Sequence, residues 1–198
     1  AKRKLFRAVA PDGAIVLNRD DTQSQSFADA ARARIKIWYG HSGIDLPDRR
    51  VPLGGVRIDA NGISFMANEA PFQSSLQGVF NLSNILAAIA TGMRYDTPVE
   101  RMAVAIGRIS GIAGRMEYVQ REPFAVIADY AHTPDSMRSV YETLARNHSR
   151  LICVFGATGG GRDTWKRPEF AKIAEGFCET VILTDEDSYD EDPEKILD

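Results

Sequence analysis

The chain has 198 residues, 44% of them hydrophobic, and a net charge of -3. That length carries one ordinary core or two small ones. The charge offers no broad basic surface for nucleic acid, and no apolar run approaches the roughly 20 residues of a membrane span. Cys153 falls in a predicted strand and Cys178 at the end of a predicted helix. Two such cysteines read as buried thiols of a reducing compartment rather than as a disulfide or a metal pair, so a cytoplasmic location is expected.

Taken in order, residues 1–10 read as a short basic-apolar helix, with Lys2 either solvated at a frayed end or functional. Ala14 to Leu17 reads as a strand ending in Asn18-Arg19-Asp20-Asp21. Those carboxylates either face a metal or ligand or cap the helix predicted from Gln23 to Arg34, and the capping role is favoured. Ile35 to Tyr39 is the next strand, and His41 a loop residue with no special role. Val56 and Ile58, then Ile63 and Phe65, alternate with polar residues around Asn61-Gly62. This is a hairpin signal, read as an antiparallel extension of the sheet. A helix follows from Gly78-Val79-Phe80-Asn81 to Met93, burying Leu82, Ile85, Leu86 and Ile89. Asn81 and Asn84 lie three apart on its first turn. An amide both donates and accepts, which suits an adenine edge; the alternative is that Asn81 caps the helix. A second helix is predicted from Pro98 to about Arg108, and Gly111 and Gly114 before Arg115-Met116-Glu117 suggest a hinge.

The second half carries the chemistry. Strands Met116 to Gln120 and Phe124 to Ala128 lead into Asp129-Tyr130-Ala131-His132-Thr133-Pro134-Asp135. Thr133 and Pro134 read as an N-cap and a first helical position. Met137, Val140, Tyr141 and Leu144 then recur at helical spacing. Strand Leu151 to Phe155 runs into a glycine loop, Gly156 to Gly161, followed by Arg162, Asp163, Lys166, Arg167 and Pro168. Pro168 is read as opening a helix that buries Phe170, Ile173, Ala174 and Phe177, before a strand Thr180 to Thr184. Such alternation predicts an α/β fold with a parallel sheet and right-handed crossovers, whose ligands sit outside the carboxyl ends of the strands.

Gly156 and Gly161 have the glycine spacing of a phosphate loop, yet Arg162 and Asp163 stand where Lys and Ser/Thr belong. A carboxylate in the place of the metal-binding hydroxyl would face the phosphates, which disfavours a nucleotide P-loop. The stretch reads either as a flexible turn or as an anion site built from backbone amides, Arg162, Lys166, Arg167 and a helix N-terminus. Six of the eight residues from Asp185 to Asp192 are acidic. They read as a solvated charge run or as an ammonium site. An EF-hand fits poorly, since Tyr189 and Asp190 stand at its fifth-ligand and glycine positions.

Asp129-Tyr130-Ala131-His132-Thr133-Pro134-Asp135, Val154-Phe155-Gly156, the glycine loop, Arg162-Asp163 and Lys166-Arg167-Pro168 together resemble the Mur ligases, most closely the UDP-N-acetylmuramoyl-tripeptide synthetase branch. The likeness extends over nearly the whole chain. It implies that residues 1–112 are the second half of a P-loop-type central ATPase domain. Residues 113–198 would be the first half of a Rossmann-like parallel-sheet C-terminal domain, and neither domain would be complete. It implies ATP and Mg2+ as cofactors, a UDP-muramoyl peptide and an amino acid as substrates, and a monomer with no nucleic-acid or membrane partner. ATP phosphorylates a carboxylate, an amine attacks the acyl phosphate, and the protein positions the reactants and stabilises charge.

Residue by residue, the resemblance makes Lys2 a catalytic lysine that holds magnesium when carbamylated. It places Asn81 and Asn84 near the adenine. Arg115 would reach the ATP phosphates, unless it forms a hinge salt bridge with Glu117. Asp129 would hold the ribose hydroxyls, and His132 would lie near the phosphates in a catalytic role. Arg162 would bind the α-carboxylate of the incoming amino acid, with Asp163, Lys166 and Arg167 ordering that site. The chain departs from the family where the diaminopimelate-adding branch has Asp-Asn-Pro-Arg. Here stand Glu186, Asp187, Ser188 and Tyr189. Tyr189 replaces the arginine that grips a distal carboxylate, so Glu186, Asp187 and Tyr189 are expected to receive a distal ammonium, as in lysine or ornithine. With no complete P-loop and no UDP-sugar domain in it, the chain alone is expected to be inactive. The competing expectations are a folylpolyglutamate- or cyanophycin-type amide ligase, a non-catalytic ligase-like subunit, and a nucleotide-binding module unrelated to ligases.

Overall fold

The computed structural model describes residues 2–161 and 163–197. Its internal contacts divide it into two units, Ala1–Ile112 and Ala113–Asp198. The first opens with α1 (Lys2–Ala8), β1 (Ala14–Asn18), α2 (Ser24–Ala30) and β2 (Ile35–Gly40). β1 and β2 are parallel, and β3 (Gly43–Asp45) and β4 (Arg50–Val51) extend the sheet antiparallel in the order β1-β2-β3-β4. Phe6 of α1 stacks on Phe27 of α2 with ring centroids 4.9 Å apart, over a small core of Ile15, Leu17, Ala28 and Ala33. The helix predicted from Gln23 to Arg34 stops at Ala30, because the chain must extend to re-enter the sheet. Ala31 is already extended, Ala33 is buried, and the Arg34 amide donates to the Pro11 carbonyl at 3.0 Å.

The hairpin around Asn61-Gly62 forms as expected but does not extend that sheet. β5 (Leu53–Asp59), β6 (Gly62–Ala67) and β7 (Ala70–Ser74) make a separate three-stranded antiparallel sheet. Gly62 takes a left-handed φ of 127°, and a Cβ there would collide with the Ser74 carbonyl. α3 (Val79–Arg94) and α4 (Val99–Gly107) complete the unit. One core joins both sheets to α3: Ile37, Ile44 and Val51 from the first, Phe65 and Phe72 from the second, and Leu82, Leu86 and Ile89 from the helix. Which side chains share a core and which backbones share a ladder are thus different questions. Alternation answers only the first.

The second unit contains β8 (Glu117–Gln120), β9 (Val126–Ala128), α5 (Pro134–Ala145), β10 (Ile152–Phe155), α6 (Lys166–Phe177), β11 (Thr180–Leu183) and α7 (Pro193–Leu197). The expected alternation is present in the element order, and its parallel ladder joins β10 to β11. β9 pairs antiparallel with β8. Thr133 caps α5 as expected, in a reciprocal capping box with Ser136 and with Pro134 at the start of the helix. α6 begins at Lys166, so Pro168 lies inside its first turn rather than opening it. That position tolerates proline because first-turn amides have no intrahelical acceptor. Met137, Cys153, Phe170, Ile173 and Ala174 form the core.

Contrary to expectation, Cys153 and Cys178 are joined as a disulfide, with Cα atoms 6.1 Å apart. β10 and the residue that ends α6 are brought within bridging range, a proximity that a separation of 25 residues did not reveal. Among the described residues no helix is long and apolar enough to cross a membrane.

Candidate functional site

In the second unit, the residues that follow β9, β10 and β11 line one cleft of about 600 Å³. Asp129 and His132 come from the first of these segments, Gly156 and Thr158 from the second, and Glu186, Asp187 and Tyr189 from the third. Asp163, Lys166 and Arg167 contribute from the start of α6 and the residues before it. This is the carboxyl edge of the strands, where an open α/β sheet places its ligands.

The glycine loop and the acid-rich segment lie side by side. The Thr184 amide donates to the Phe155 carbonyl at 3.0 Å and the Gly159 amide to the Asp187 carbonyl at 2.8 Å. The Thr158 hydroxyl donates to Glu186 Oε2 at 3.2 Å. The Gly161 amide donates to Glu191 Oε1. A Cβ on Gly156 would strike the Thr184 carbonyl, and one on Gly159 the Ser188 carbonyl. Gly160 and Gly161 have φ of 75° and 66°, a region where side chains are strained. These glycines are therefore explained by the close approach of a second loop and by left-handed backbone. No phosphate is needed to account for them.

The two described cations of the expected anion site, Lys166 and Arg167, are already engaged. Lys166 Nζ donates to Asp163 Oδ2 at 2.6 Å. Arg167 Nη2 donates to Glu191 Oε2 at 2.7 Å and to the Thr158 carbonyl at 3.4 Å. Arg167 Nε is buried without a partner among the described residues. Arg167 first, and then the Gly161 amide, hold the Glu191 carboxyl below its usual value. The cradle thus contains a carboxylate that belongs to the chain itself. In the sequence Glu191 was one acid in a run. Nothing local distinguished it, because its partners lie 24 and 30 residues away. Arg162, the expected α-carboxylate ligand, lies outside the described residues.

Asp129 uses Oδ2 to accept the Met116 amide at 2.8 Å, and the Tyr130 amide donates to the Gly114 carbonyl at 2.9 Å. Glu117 Oε2 accepts the Gly114 amide at 2.7 Å. The alternative of an Arg115–Glu117 pair is therefore not what forms: the Arg115 guanidinium lies over the Tyr130 ring, 5.1 Å from its centroid. His132 Nδ1 is 3.0 Å from the Tyr130 carbonyl. A carbonyl only accepts, so Nδ1 carries the proton and, in the neutral ring, Nε2 is left as the acceptor.

In the first unit, Asn81 is 4% exposed and does not cap α3. Its Nδ2 donates to the Gln77 carbonyl at 2.8 Å, and its Oδ1 accepts from Asn84 Nδ2 at 3.2 Å. Asn84 is exposed. The N-cap of α2 is Gln23, which makes no side-chain cap bond. Asp21 Oδ1 instead accepts the Gln23 amide at 2.8 Å, just ahead of the helix. Asp20 Oδ2 accepts the His41 amide at 2.8 Å, so His41 has a tie that the sequence did not suggest. Burial first, and then Asp21 and Asp20, raise the Tyr39 hydroxyl. Lys2 is exposed on α1. Among the described residues no three or more His, Cys, Asp or Glu side chains are grouped to hold a metal ion.

Residues 1–92 match the Mur ligase middle domain, and residues 114–198 match the Mur ligase, glutamate ligase domain. The UDP-N-acetylmuramoyl-L-alanyl-D-glutamate–2,6-diaminopimelate ligase of Thermosynechococcus vestitus is 37% identical, over 100% of this chain and 40% of that protein. Its namesake from Solibacter usitatus is 38% identical, again over 100% of this chain and 40% of the relative. The chain thus spans about two-fifths of the length of the curated relatives it matches. A solved structure of a ligase of the same name superposes with a TM-score of 0.56 at 26% identity, covering 98% of this chain and 41% of the other. MurF from Acinetobacter baumannii shares the fold, with a TM-score of 0.76 at 19% identity over 92% of this chain and 41% of its own. Matched in both halves by domains of one family, the chain belongs to the Mur ligases.

Proposed function

We propose that the chain serves an ATP-dependent ligase that adds an amino acid to a UDP-muramoyl peptide in cell-wall synthesis. In this reading residues 1–112 belong to the ATP-binding domain and residues 113–198 to the amino-acid-binding domain. A carboxylate oxygen of the muramoyl peptide attacks the terminal phosphorus of ATP and ADP leaves. The amine then attacks the carbonyl carbon of the acyl phosphate, phosphate leaves, and the amine gives up a proton. The side chains orient the reactants and offset charge rather than form bonds. Asn84, oriented by the buried Asn81, and Asp129 serve the nucleoside, Arg115 and His132 its phosphates, and Arg162 the α-carboxylate of the amino acid. Asp163 and Lys166 order that end of the cleft as a pair. The observation that carries this reading is the meeting of three strand-end segments on one cleft.

The relatives are named for 2,6-diaminopimelate. For this chain we favour a basic diamino acid, lysine or ornithine. Glu186 and Asp187 line the cleft with Tyr189, while Lys166 and Arg167 are both ion-paired. The described part of the cleft therefore offers acids, and no unpaired cation, to a distal group. The test replaces the matching segment of the Thermosynechococcus ligase with this chain and measures amino-acid-dependent phosphate release. Lysine or ornithine should outperform diaminopimelate. Diaminopimelate as the better substrate would overturn the specificity, and ATP turnover without any amino-acid dependence would overturn the ligase reading.

A further inference from the structure

We propose that Glu191 is a positioning residue that sets which amino acid the cleft accepts. It does so without touching the substrate, by clasping the acid-rich segment to the glycine loop and by keeping Arg167 neutralised. The inference rests on the reading of the cleft as the amino-acid site.

The acid-rich segment is held at three levels. Thr184 pairs with Phe155 at its start, Asp187 with Gly159 at its middle, and Glu191 with Gly161 and Arg167 at its end. The end differs in kind: Glu186 of the segment takes only the Thr158 hydroxyl, whereas Glu191 is paired with an opposite charge. The Glu191 amide also donates to the Ser188 carbonyl at 3.0 Å. That closes a turn whose next residue, Tyr189, sits at a φ of 53°. Such a conformation is strained for a tyrosine and persists only where the surroundings enforce it. By fixing the far side of this turn, Glu191 fixes where Tyr189 and Asp187 stand in the cleft.

The second effect is electrostatic. Arg167 lines the same cleft, and its charge is matched by Glu191 at 2.7 Å. Without Glu191 the cleft that Glu186 and Asp187 line gains an unpaired cation. A distal ammonium would then meet repulsion, and a distal carboxylate would find a guanidinium suited to it. Loss of Glu191 should therefore do more than weaken binding. It should move preference from lysine toward diaminopimelate, a change that a merely loosened loop would not produce.

The test uses the 198-residue chain with Glu191→Ala and Glu191→Gln. Amide hydrogen exchange is read at Gly159 and Gly161, and calorimetric titrations are run with lysine and with diaminopimelate. Glu191→Ala should speed exchange at both glycines by about 10-fold or more, the worth of a charge-assisted hydrogen bond, while the α5 amides stay unchanged. It should shift the lysine-to-diaminopimelate affinity ratio by about 10-fold toward diaminopimelate. Glu191→Gln keeps an acceptor for Gly161 but not the charge, so it should retain protection and still shift the ratio. Formate added to the alanine variant should restore lysine preference. Unchanged exchange at Gly159 and Gly161 in Glu191→Ala overturns the clasp, and an unchanged ratio overturns the specificity role. A wild-type chain that binds neither amino acid overturns the ligase reading and the specificity role together, while the exchange data still judge the clasp.

Discussion

Gly159 is buried against the acid-rich segment, its amide 2.8 Å from the Asp187 carbonyl, with no room for a side chain before the Ser188 carbonyl. The two loops are therefore fitted to one another at backbone distance. Gly159→Ala must push the segment away, and overpacking of this kind costs roughly 1–3 kcal/mol. Urea unfolding followed through Trp165, which lies in the same unit, should show that loss. Trp38, in the other unit, should report no change. An alanine variant as stable as wild type would show that the segment yields freely.

Acid should release the same segment. The folded carboxyl of Glu191 lies below its ordinary value of 4.5. Its contribution to stability is therefore fully present above that value and is lost as pH falls through the depressed folded value. Unfolding of the second unit across acid pH should be flatter in Glu191→Gln than in wild type. Identical profiles would show that the pairing with Arg167 adds nothing.

Asn81 separates a structural role from a nucleotide-binding one. It is buried, donates to Gln77 and accepts from Asn84. Asn81→Ala should cost roughly 1–3 kcal/mol of stability in the first unit, the usual penalty for breaking a buried polar pairing. Weakened nucleotide binding at unchanged stability would return the residue to the adenine edge.

Tyr141 sets an alkaline limit. Burial pushes its hydroxyl from the ordinary 10.0 up to about 12. The folded state holds this proton more tightly than the unfolded one, so the contribution is complete below pH 10.0 and disappears as pH rises through about 12. Tyrosinate absorbance should reveal a late-titrating tyrosine beyond the raised Tyr39, and only that one should be missing in Tyr141→Phe. The phenylalanine variant should also lose less stability over that interval.

Reduction offers a fifth handle. The Cys153–Cys178 bridge spans 25 residues, and a cross-link of this kind stabilises by roughly 2–4 kcal/mol. Dithiothreitol should lower the unfolding free energy of the second unit by that amount and leave a Cys153→Ser, Cys178→Ser variant unaffected. Equal stability of the oxidised and reduced protein would contradict it.

Where a signal is local, the sequence carried it. Thr133-Pro134 marks the start of α5 because cap and first-turn chemistry occupy adjacent positions, and Asn61-Gly62 marks its hairpin for the same reason. The buried face of α3 followed from spacing alone. Partner choice between distant segments is another matter. Nothing around Val56 states that β5 to β7 form their own sheet, and nothing around Cys178 points to Cys153. The cleft divides along the same line. Asp129 and His132 stood out because polar groups directly follow an apolar strand, whereas Glu191 looked like its acidic neighbours until Arg167 and Gly161 were found beside it.

Much of the contact between the glycine loop and the acid-rich segment runs from amide to carbonyl, as between Gly159 and Asp187. Every residue carries the main-chain carbonyl, and every residue except proline the amide hydrogen, so the frame of the cleft tolerates changes at 186, 187 and 189 that a side-chain scaffold would not. On the proposed reading of the cleft, substrate preference can then drift by point substitution along the segment while the scaffold beneath it stays still. A new amino acid would be accepted without a new fold.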